Sequence, residues 1–318
     1  MTEVEAASLS WRRLAAHCTI AVLLFAAANL WVYRTSGFFE RKRMYTEHVE
    51  RITQHPNVHV IFAGDSHFAV PLNDYLDEDV RGPAFSIAAG GDSLRETFAK
   101  VRYVLERAPS IDTLILTADP HMFAKGRLES SNRSFADIYF IRAWDGSGVQ
   151  HNLWSAILQQ VPLFNEDYLQ YFRKELAVLA THAPSHARGQ GDPLAWSRLT
   201  DEERRRAAVE TGIGDHEGLG DFQQPYVWYG RILELARQHH VRVIGVRFPV
   251  HGSYSAQAPA EKVARLNAFL TSHGVSEVID LRDAMTDPRL FEDPDHVNEH
   301  GAAAVLGLLE QRLGTPLR

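Results

Sequence analysis

Cysteine is almost missing from this chain. Cys18 is the only one in 318 residues, which excludes a disulfide within one chain and any cysteine-built zinc site. Lysine is also scarce: five of the 33 basic residues are lysine and the other 28 are arginine. The basic residues are scattered among 40 acidic ones, giving a net charge of −7. With no basic stripe there is no footprint for a nucleic acid. Charge is absent altogether from Leu14 to Tyr33, LAAHCTIAVLLFAAANLWVY, twenty residues without Asp, Glu, Lys or Arg. No internal repeat is present. What remains, 45% hydrophobic and 23% charged, is the composition of a folded globular chain, long enough for one large domain or two small ones.

The uncharged run matches the roughly twenty helical residues that span a hydrocarbon core of about 30 Å. Trp11, Trp31 and Tyr33 stand near its ends, where aromatic belts lie. A cleaved signal peptide is the competing reading, since Ala26-Ala27-Ala28 offers a small-residue cleavage site. The apolar run continues past that site through Trp31 and Val32, which favours an uncleaved anchor. Arg12 and Arg13 precede the run, and Arg34, Arg41, Lys42 and Arg43 follow it. Counted alone, that bias would keep the C-terminal bulk in the cytoplasm.

Beyond a connecting helix (Met44 to His55), strand and helix patterns alternate. Apolar runs at Val58–Ala63, Ala84–Ala89, Thr113–Ala118, Val241–Val246 and Glu277–Leu281 read as buried parallel strands. Ser93 and Glu96 form a capping box ahead of a helix with Leu94, Phe98, Val101 and Leu105 on one face, stopped by Pro109. Further helices are expected over Ile232–His240, Ala260–Leu270 and Ala302–Leu313. Five strands interleaved with helices predict an α/β fold with a parallel sheet covered on both faces. Residues 127–225 differ: they carry three of the six tryptophans and no strong strand pattern. Helices over Leu153–Val161 and Glu166–Leu179, a break at Ser185–Pro193 and a glycine-rich loop over Thr211–Asp221 make this stretch a helical insertion. The expected organisation is a tail (1–13), an anchor (14–33), a connector (34–56) and an α/β domain (57–318).

The first strand ends in Gly64-Asp65-Ser66-His67, placing a serine at the sheet edge where open α/β sheets bind ligands. Just before the last helix stands Asp293-Pro-Asp-His296-Val-Asn298. A serine hydroxyl becomes nucleophilic when an imidazole takes its proton, and a carboxylate must hold that imidazole in its tautomer. Asp293 can orient His296 from the same turn, whereas Asp295 adjoins the histidine at the wrong spacing. The bland alternatives are loop residues around Ser66 and an N-cap role for Asn298.

These two motifs, in this order, resemble the SGNH (GDSL-type) hydrolase superfamily over about residues 57 to 314. The resemblance implies a three-layer α/β/α domain, with Ser66 as nucleophile, His296 as base and Asp293 as its partner. It also implies an oxyanion hole from the Ser66 backbone and Gly90 or Gly91, and no metal or other cofactor. The family's Gly-x-Asn after the third strand is replaced here by Thr117-Ala118-Asp119-Pro120-His121. An ionised carboxylate cannot donate a hydrogen bond, so either Asp119 has another job or His121 supplies the missing donor. Asp119-x-His121 is also similar to the base pair of alginate-type acetyltransferases, where that motif precedes the serine. Asp65, His67, Asp119 and His121 are accordingly second-rank site residues, and their gathering around a divalent cation is the weaker alternative.

An N-terminal anchor, this core and a helical insertion together resemble bacterial polysaccharide O-acetyltransferases and the teichoic-acid D-alanylation protein. That implies acyl transfer on an envelope or secreted polysaccharide, at the outer face of the inner membrane, beside a multi-pass membrane-bound O-acyltransferase. Long domains translocate largely regardless of flanking charge, so the implied extracytoplasmic location is compatible with the arginine count. The alternatives are an esterase or deacetylase using the same triad, and a catalytically inactive scaffold. His251 and Tyr254, in the loop after the fourth strand, are candidates for acyl or sugar contact. The aromatics Trp144, Trp154, Tyr168, Tyr171, Trp228 and Tyr229 read either as a sugar groove or, more simply, as packing.

Overall fold

The computed structural model describes residues 3–77, 82–128, 132–142, 160–181 and 195–317. Trp144, Trp154, the 185–193 break and most of the helix expected from Leu153 lie outside the described residues. The chain divides into two compact units, residues 1–45 with 148–184, and residues 46–147 with 185–318. The stretch 127–225, expected as one insertion, is therefore shared between the units.

The larger unit holds a five-stranded parallel sheet made of β1 (Val60–Ala63), β2 (Ala84–Ser86), β3 (Thr113–Thr117), β4 (Arg242–Arg247) and β5 (Glu277–Asp280). The spatial order is β2-β1-β3-β4-β5. All residues of β1 and β2 are buried, which explains why they read as unbroken apolar runs. Four of the five strands are shorter than their apolar runs, because the runs continue into loops that stay buried, with Ile87, Ala88 and Ala118 all sealed from solvent, and β4 keeps its length one residue later than expected. Phe62, Phe68, Val246, Phe248, Leu306 and Leu309 belong to one core cluster against the sheet. Each such buried side chain contributes about 1.5–3 kcal/mol.

Helix ends follow the capping chemistry. Ser93 and Glu96 form the expected capping box before Leu94–Leu105. The helix expected from Ala302 starts earlier, at Glu299, because the Asn298 side chain accepts from Gly301 N–H as its N-cap. The expected glycine-rich loop is corrected in its first half, where Gly212 and Gly214 lie inside the helix Asp201–Asp215, and is a turn in its second half, where Gly218 and Gly220 adopt positive φ. A Thr200–Glu203 capping box and Arg–carboxylate pairs at Asp201–Arg204 and Glu202–Arg205 support that helix despite its glycines.

Because β1 is flanked by β2 on one side and β3 on the other, the strand order reverses between β1 and β3. Ligands of open α/β sheets collect outside the carboxyl ends of the strands at that point. Here that location is bounded by Ser66 after β1 and Asp119 after β3.

The smaller unit contains the N-terminal helix Glu3–Thr35 and the helix Glu166–Thr181. Arg13–Thr35 is long and apolar enough to cross a membrane, with a mean hydropathy of 1.8 and only 11% of its most apolar window buried.

Candidate active site

Ser66 begins the helix Ser66–Asp77 directly after β1. Gly64 makes the sharp exit possible: a Cβ there would stand 2.6 Å from Phe68 Cδ2 and 3.0 Å from Thr117 Cβ. The next N–H groups of the helix turn back on Asp65: His67 donates to its Oδ1 at 3.2 Å, and Phe68 and Ala69 donate to its carbonyl at 3.2 and 2.9 Å, which fixes the turn that carries the serine. His296 arrives from the loop before Glu299–Leu313, and its Nε2 lies 2.9 Å from Ser66 Oγ. Its Nδ1–H donates to Asp293, with both carboxylate oxygens at 3.0 Å. Asp293 Oδ1 also accepts from the backbone N–H of Asp295 and His296, at 3.0 and 2.8 Å, so the carboxylate is fixed in place. A protonated Nδ1 leaves Nε2 free to accept the Ser66 hydroxyl proton.

Behind this half-open row lies a sealed one. His67 Nδ1 is 3.0 Å from Asp119 Oδ2, and His67 Nε2 is 3.3 Å from Asp295 Oδ2. Both nitrogens face carboxylates, so both donate and the ring is an imidazolium. Burial pushes His67 down, but Asp119 and Asp295 outweigh it and hold the ring well above its usual value. Asp119 also accepts from Phe248 N–H at 3.1 Å and from the Thr117 hydroxyl at 3.3 Å. His121 Nε2 donates to Asp65 Oδ2 at 2.8 Å, and Arg127 reaches the same oxygen at 3.0 Å. Burial pushes the Asp65 carboxyl up, yet His121 and Arg127 hold it well below the usual range.

This arrangement amends several expectations. Asp119 and His121 do not pair with each other: Asp119 serves His67, and His121 serves Asp65. The His121 Nε2 proton is therefore committed and is not offered to an oxyanion. Asp295 is not idle. It is only 6% exposed, and its Oδ1 stands 3.5 Å from His296 Nδ1 while Oδ2 holds His67. Burial would lower His296, but Asp293 and Asp295 together push it up to about 10. The resting ring thus favours the protonated form and must lose a proton before it can act as a base.

On the oxyanion side, Gly90 backs onto the serine: a Cβ built there would be 3.8 Å from Ser66 Cβ. Gly91 adopts φ +83°, a conformation that costs side-chain-bearing residues but not glycine. The turn is held by groups that sequence reasoning missed. Asn132 donates to Gly90 C=O at 2.9 Å and to Asp92 at 2.8 Å. Asp92 pairs with Lys100 at 2.5 Å, and the same ammonium donates to Ile87 C=O. Burial pushes Asp92 up to about 6 despite Lys100. Nothing local announces these partners, because Asn132 follows β3 at no fixed spacing and Lys100 sits on the expected core-helix surface.

Tyr254 is buried at 2% exposure and donates its hydroxyl to Asp215 at 3.1 Å, so it is not presented to a substrate. His251 donates its backbone N–H to Pro294 C=O at 2.7 Å and lines a cleft of about 250 Å³ with Trp196, Arg204, Arg282 and Phe291. The aromatics within the described residues pack: Tyr168 on Phe38 and Phe39, Tyr171 on Phe38, Trp228 on Phe98, and Tyr229 on Phe123.

Two three-residue groups bring ligand-type atoms within 4.8 Å of one another, namely Asp65, His67 and His121, and His67, Asp295 and His296. Both include His67, whose two nitrogens are already engaged by carboxylates, so its geometry is that of a two-way donor. No protein-family model matches the chain, and no curated protein matches it.

Proposed function

We propose that this protein is a serine-dependent acyltransferase of SGNH type, tethered to a membrane, that transfers an acyl group to a hydroxyl of an envelope polysaccharide. One observation carries the chemistry: Ser66 Oγ, His296 Nε2 and the Asp293 carboxylate stand in a continuous row at 2.9 and 3.0 Å, although 230 residues separate the serine from the histidine. The row lies where strand order reverses, and a helix N-terminus and the Gly90–Gly91 turn stand beside the serine.

In this mechanism the neutral His296 accepts the Ser66 proton as Oγ attacks the acyl carbonyl. The oxyanion meets the Ser66 backbone N–H and the Gly90–Gly91 turn; one such donor is worth about 3 kcal/mol. His296 then returns the proton to the leaving oxygen, leaving an acyl-Ser66. A sugar hydroxyl attacks next, with His296 taking its proton and Ser66 recovering it. Asp293 keeps Nδ1 protonated throughout. The sheet domain lies outside the cytoplasmic membrane, anchored by Arg13–Thr35, and a multi-pass membrane-bound O-acyltransferase supplies the acyl group. Polymer and partner rest on the resemblance of the motifs and on the apolar N-terminal helix.

The test is full-length protein in detergent with an activated acetyl ester and an oligosaccharide acceptor, scored for acetylated sugar and free acetate. Acetylated sugar that disappears in Ser66→Ala supports transfer. Free acetate alone assigns hydrolysis to the same triad, and wild-type rates in Ser66→Ala overturn the reading.

A further inference from the structure

The smaller unit contains more than a helix to hold the protein down. Val161 to Asn165 forms a turn against the second half of that helix. Leu163 N–H donates to the Asn29 side chain at 3.0 Å, and the Phe164 ring meets Phe25 at 5.5 Å between centroids. Asn29 also donates to Phe25 C=O at 2.8 Å, so the one amide in this part of the apolar run is paired at both ends.

The turn is built for a medium without water, where an unsatisfied backbone group costs several kcal/mol. Pro162 has no N–H. Leu163 N–H goes to Asn29, Phe164 N–H to Val161 C=O at 2.9 Å, and Asn165 N–H to Pro162 C=O at 3.2 Å. The buried Asn165 side chain then caps the following helix by accepting from Tyr168 N–H at 2.7 Å.

Depth follows from helix rise. If Trp31 marks the headgroup level, Asn29 lies about 3 Å and Phe25 about 9 Å deeper at 1.5 Å per residue. The turn tip shares the Phe25 level. Phe164 is 50% exposed there, at the depth of the exposed Val22, Leu23 and Leu24 of the apolar helix. The helix Glu166–Thr181 climbs back: Tyr168 packs on Phe38 and Phe39, and Tyr171 lies under the Arg41 guanidinium at 5.1 Å. Its face with Leu169, Phe172 and Leu176 follows i, i+3, i+7 spacing, and Phe172 and Leu176 are 45% and 48% exposed.

We propose that residues 162–165 form a second membrane contact, a wedge whose tip Phe164 enters the acyl chains of the leaflet on the C-terminal side of the anchor, while Phe172 and Leu176, further up the climbing helix, stand on the headgroup side of that leaflet. The inference rests on the anchor in the reading above. A depth of about 9 Å is that of interfacial helices, which bury their apolar face about 5–10 Å. Glu166 and Asp167, in the first turn of the climbing helix, then fall at the headgroup level, where the helix N-terminus favours acids.

The experiment uses the full chain with Cys18→Ala, carrying one environment-sensitive fluorophore on Phe164→Cys, Phe172→Cys, Leu176→Cys or, as reference, Leu23→Cys. Each is reconstituted in phosphatidylcholine–phosphatidylglycerol vesicles with nitroxide on the headgroup or along the acyl chain. The Phe164 probe should lose most of its emission to acyl-chain nitroxide and less to headgroup nitroxide. The Phe172 and Leu176 probes should show the reverse order. Quenching at Leu23 with none at the other three sites overturns the wedge and leaves the anchor standing. No quenching even at Leu23 overturns the anchor itself. Loss of acyl-chain quenching at Phe164 as the protein-to-lipid ratio rises assigns that face to a second copy and also overturns the wedge.

Discussion

The sheet edge presents the same chemical groups twice, in two settings. In one row His296 and Asp293 face Ser66 and are partly open, with side-chain exposures of 19% and 44%. In the other, His67 and Asp119 are sealed at 1% and 3%. An imidazole beside a carboxylate is a proton shuttle only where one ring nitrogen meets a reacting hydroxyl. His296 meets that condition. His67, with a carboxylate on each nitrogen, can only donate, so it works as a fixed positive charge that holds Asp119 and Asp295 in place. Asp295 joins the rows, since it touches both rings. Accessibility and the second partner, rather than residue type, divide chemistry from support.

The largest effect is expected from removing the sealed ring. His67→Ala leaves Asp119 and Asp295 buried without their cation, which should cost about 3–5 kcal/mol of stability; chemical denaturation measures it, and a loss below about 1 kcal/mol would show that the ring is dispensable. The pH dependence has a definite sign. His67 is raised in the folded state, so its contribution is full below about pH 6.5 and is lost as pH rises through the raised value. The lowered Asp65 and Asp295 contribute above about pH 4 and lose that contribution as pH falls through their folded values. The alkaline fall in melting temperature should therefore shrink in His67→Gln, while the acid fall remains.

Asp295→Asn cuts the link between the rows. The His296 base must be neutral to act, and its value is pushed up to about 10 by Asp293 and Asp295. Wild-type kcat/KM should thus climb through neutral and alkaline pH, and the substitution should move that limb to lower pH while lowering the plateau about tenfold, or about 1.4 kcal/mol. An unchanged pH profile would return Asp295 to the passive place its sequence position suggested. The smallest expected effect lies across the serine: Gly91→Ala should cost about 1 kcal/mol through its positive φ, with turnover falling as the oxyanion turn shifts. Unchanged stability and turnover would show that the turn absorbs a side chain.

Much of this site was legible because its signals are local. A buried parallel strand must be an apolar run, a capping box must be three residues wide, and an Asp three residues before a histidine can reach its Nδ1. The partners of the sealed row were not legible. Asp119 and His121 stand two apart in sequence yet serve His67 and Asp65, because β1 and β3 lie side by side and bring their loop residues across rather than along the chain. The role of Asp295 is hidden for a related reason. Sequence spacing describes its reach to His296 but not the presence of His67 on its other oxygen. The glycines at 212 and 214 suggested a loop because propensity was weighed without the Thr200–Glu203 cap and the arginine pairs that carry the helix through them. Residues 160–181 meet the N-terminal residues through Asn29, Phe25, Phe38 and Phe39, contacts that no periodicity encodes.

The most direct measurement is mass-spectrometric mapping of a fluorophosphonate adduct on the full-length protein. The proton-shuttle assignment requires one adduct, on Ser66, in the wild type and in Asp295→Asn, and its loss by more than about a thousandfold in rate in His296→Ala. An adduct that forms at the wild-type rate in His296→Ala but vanishes in a folded His67→Gln or His121→Gln protein would contradict it and move the base into the sealed row.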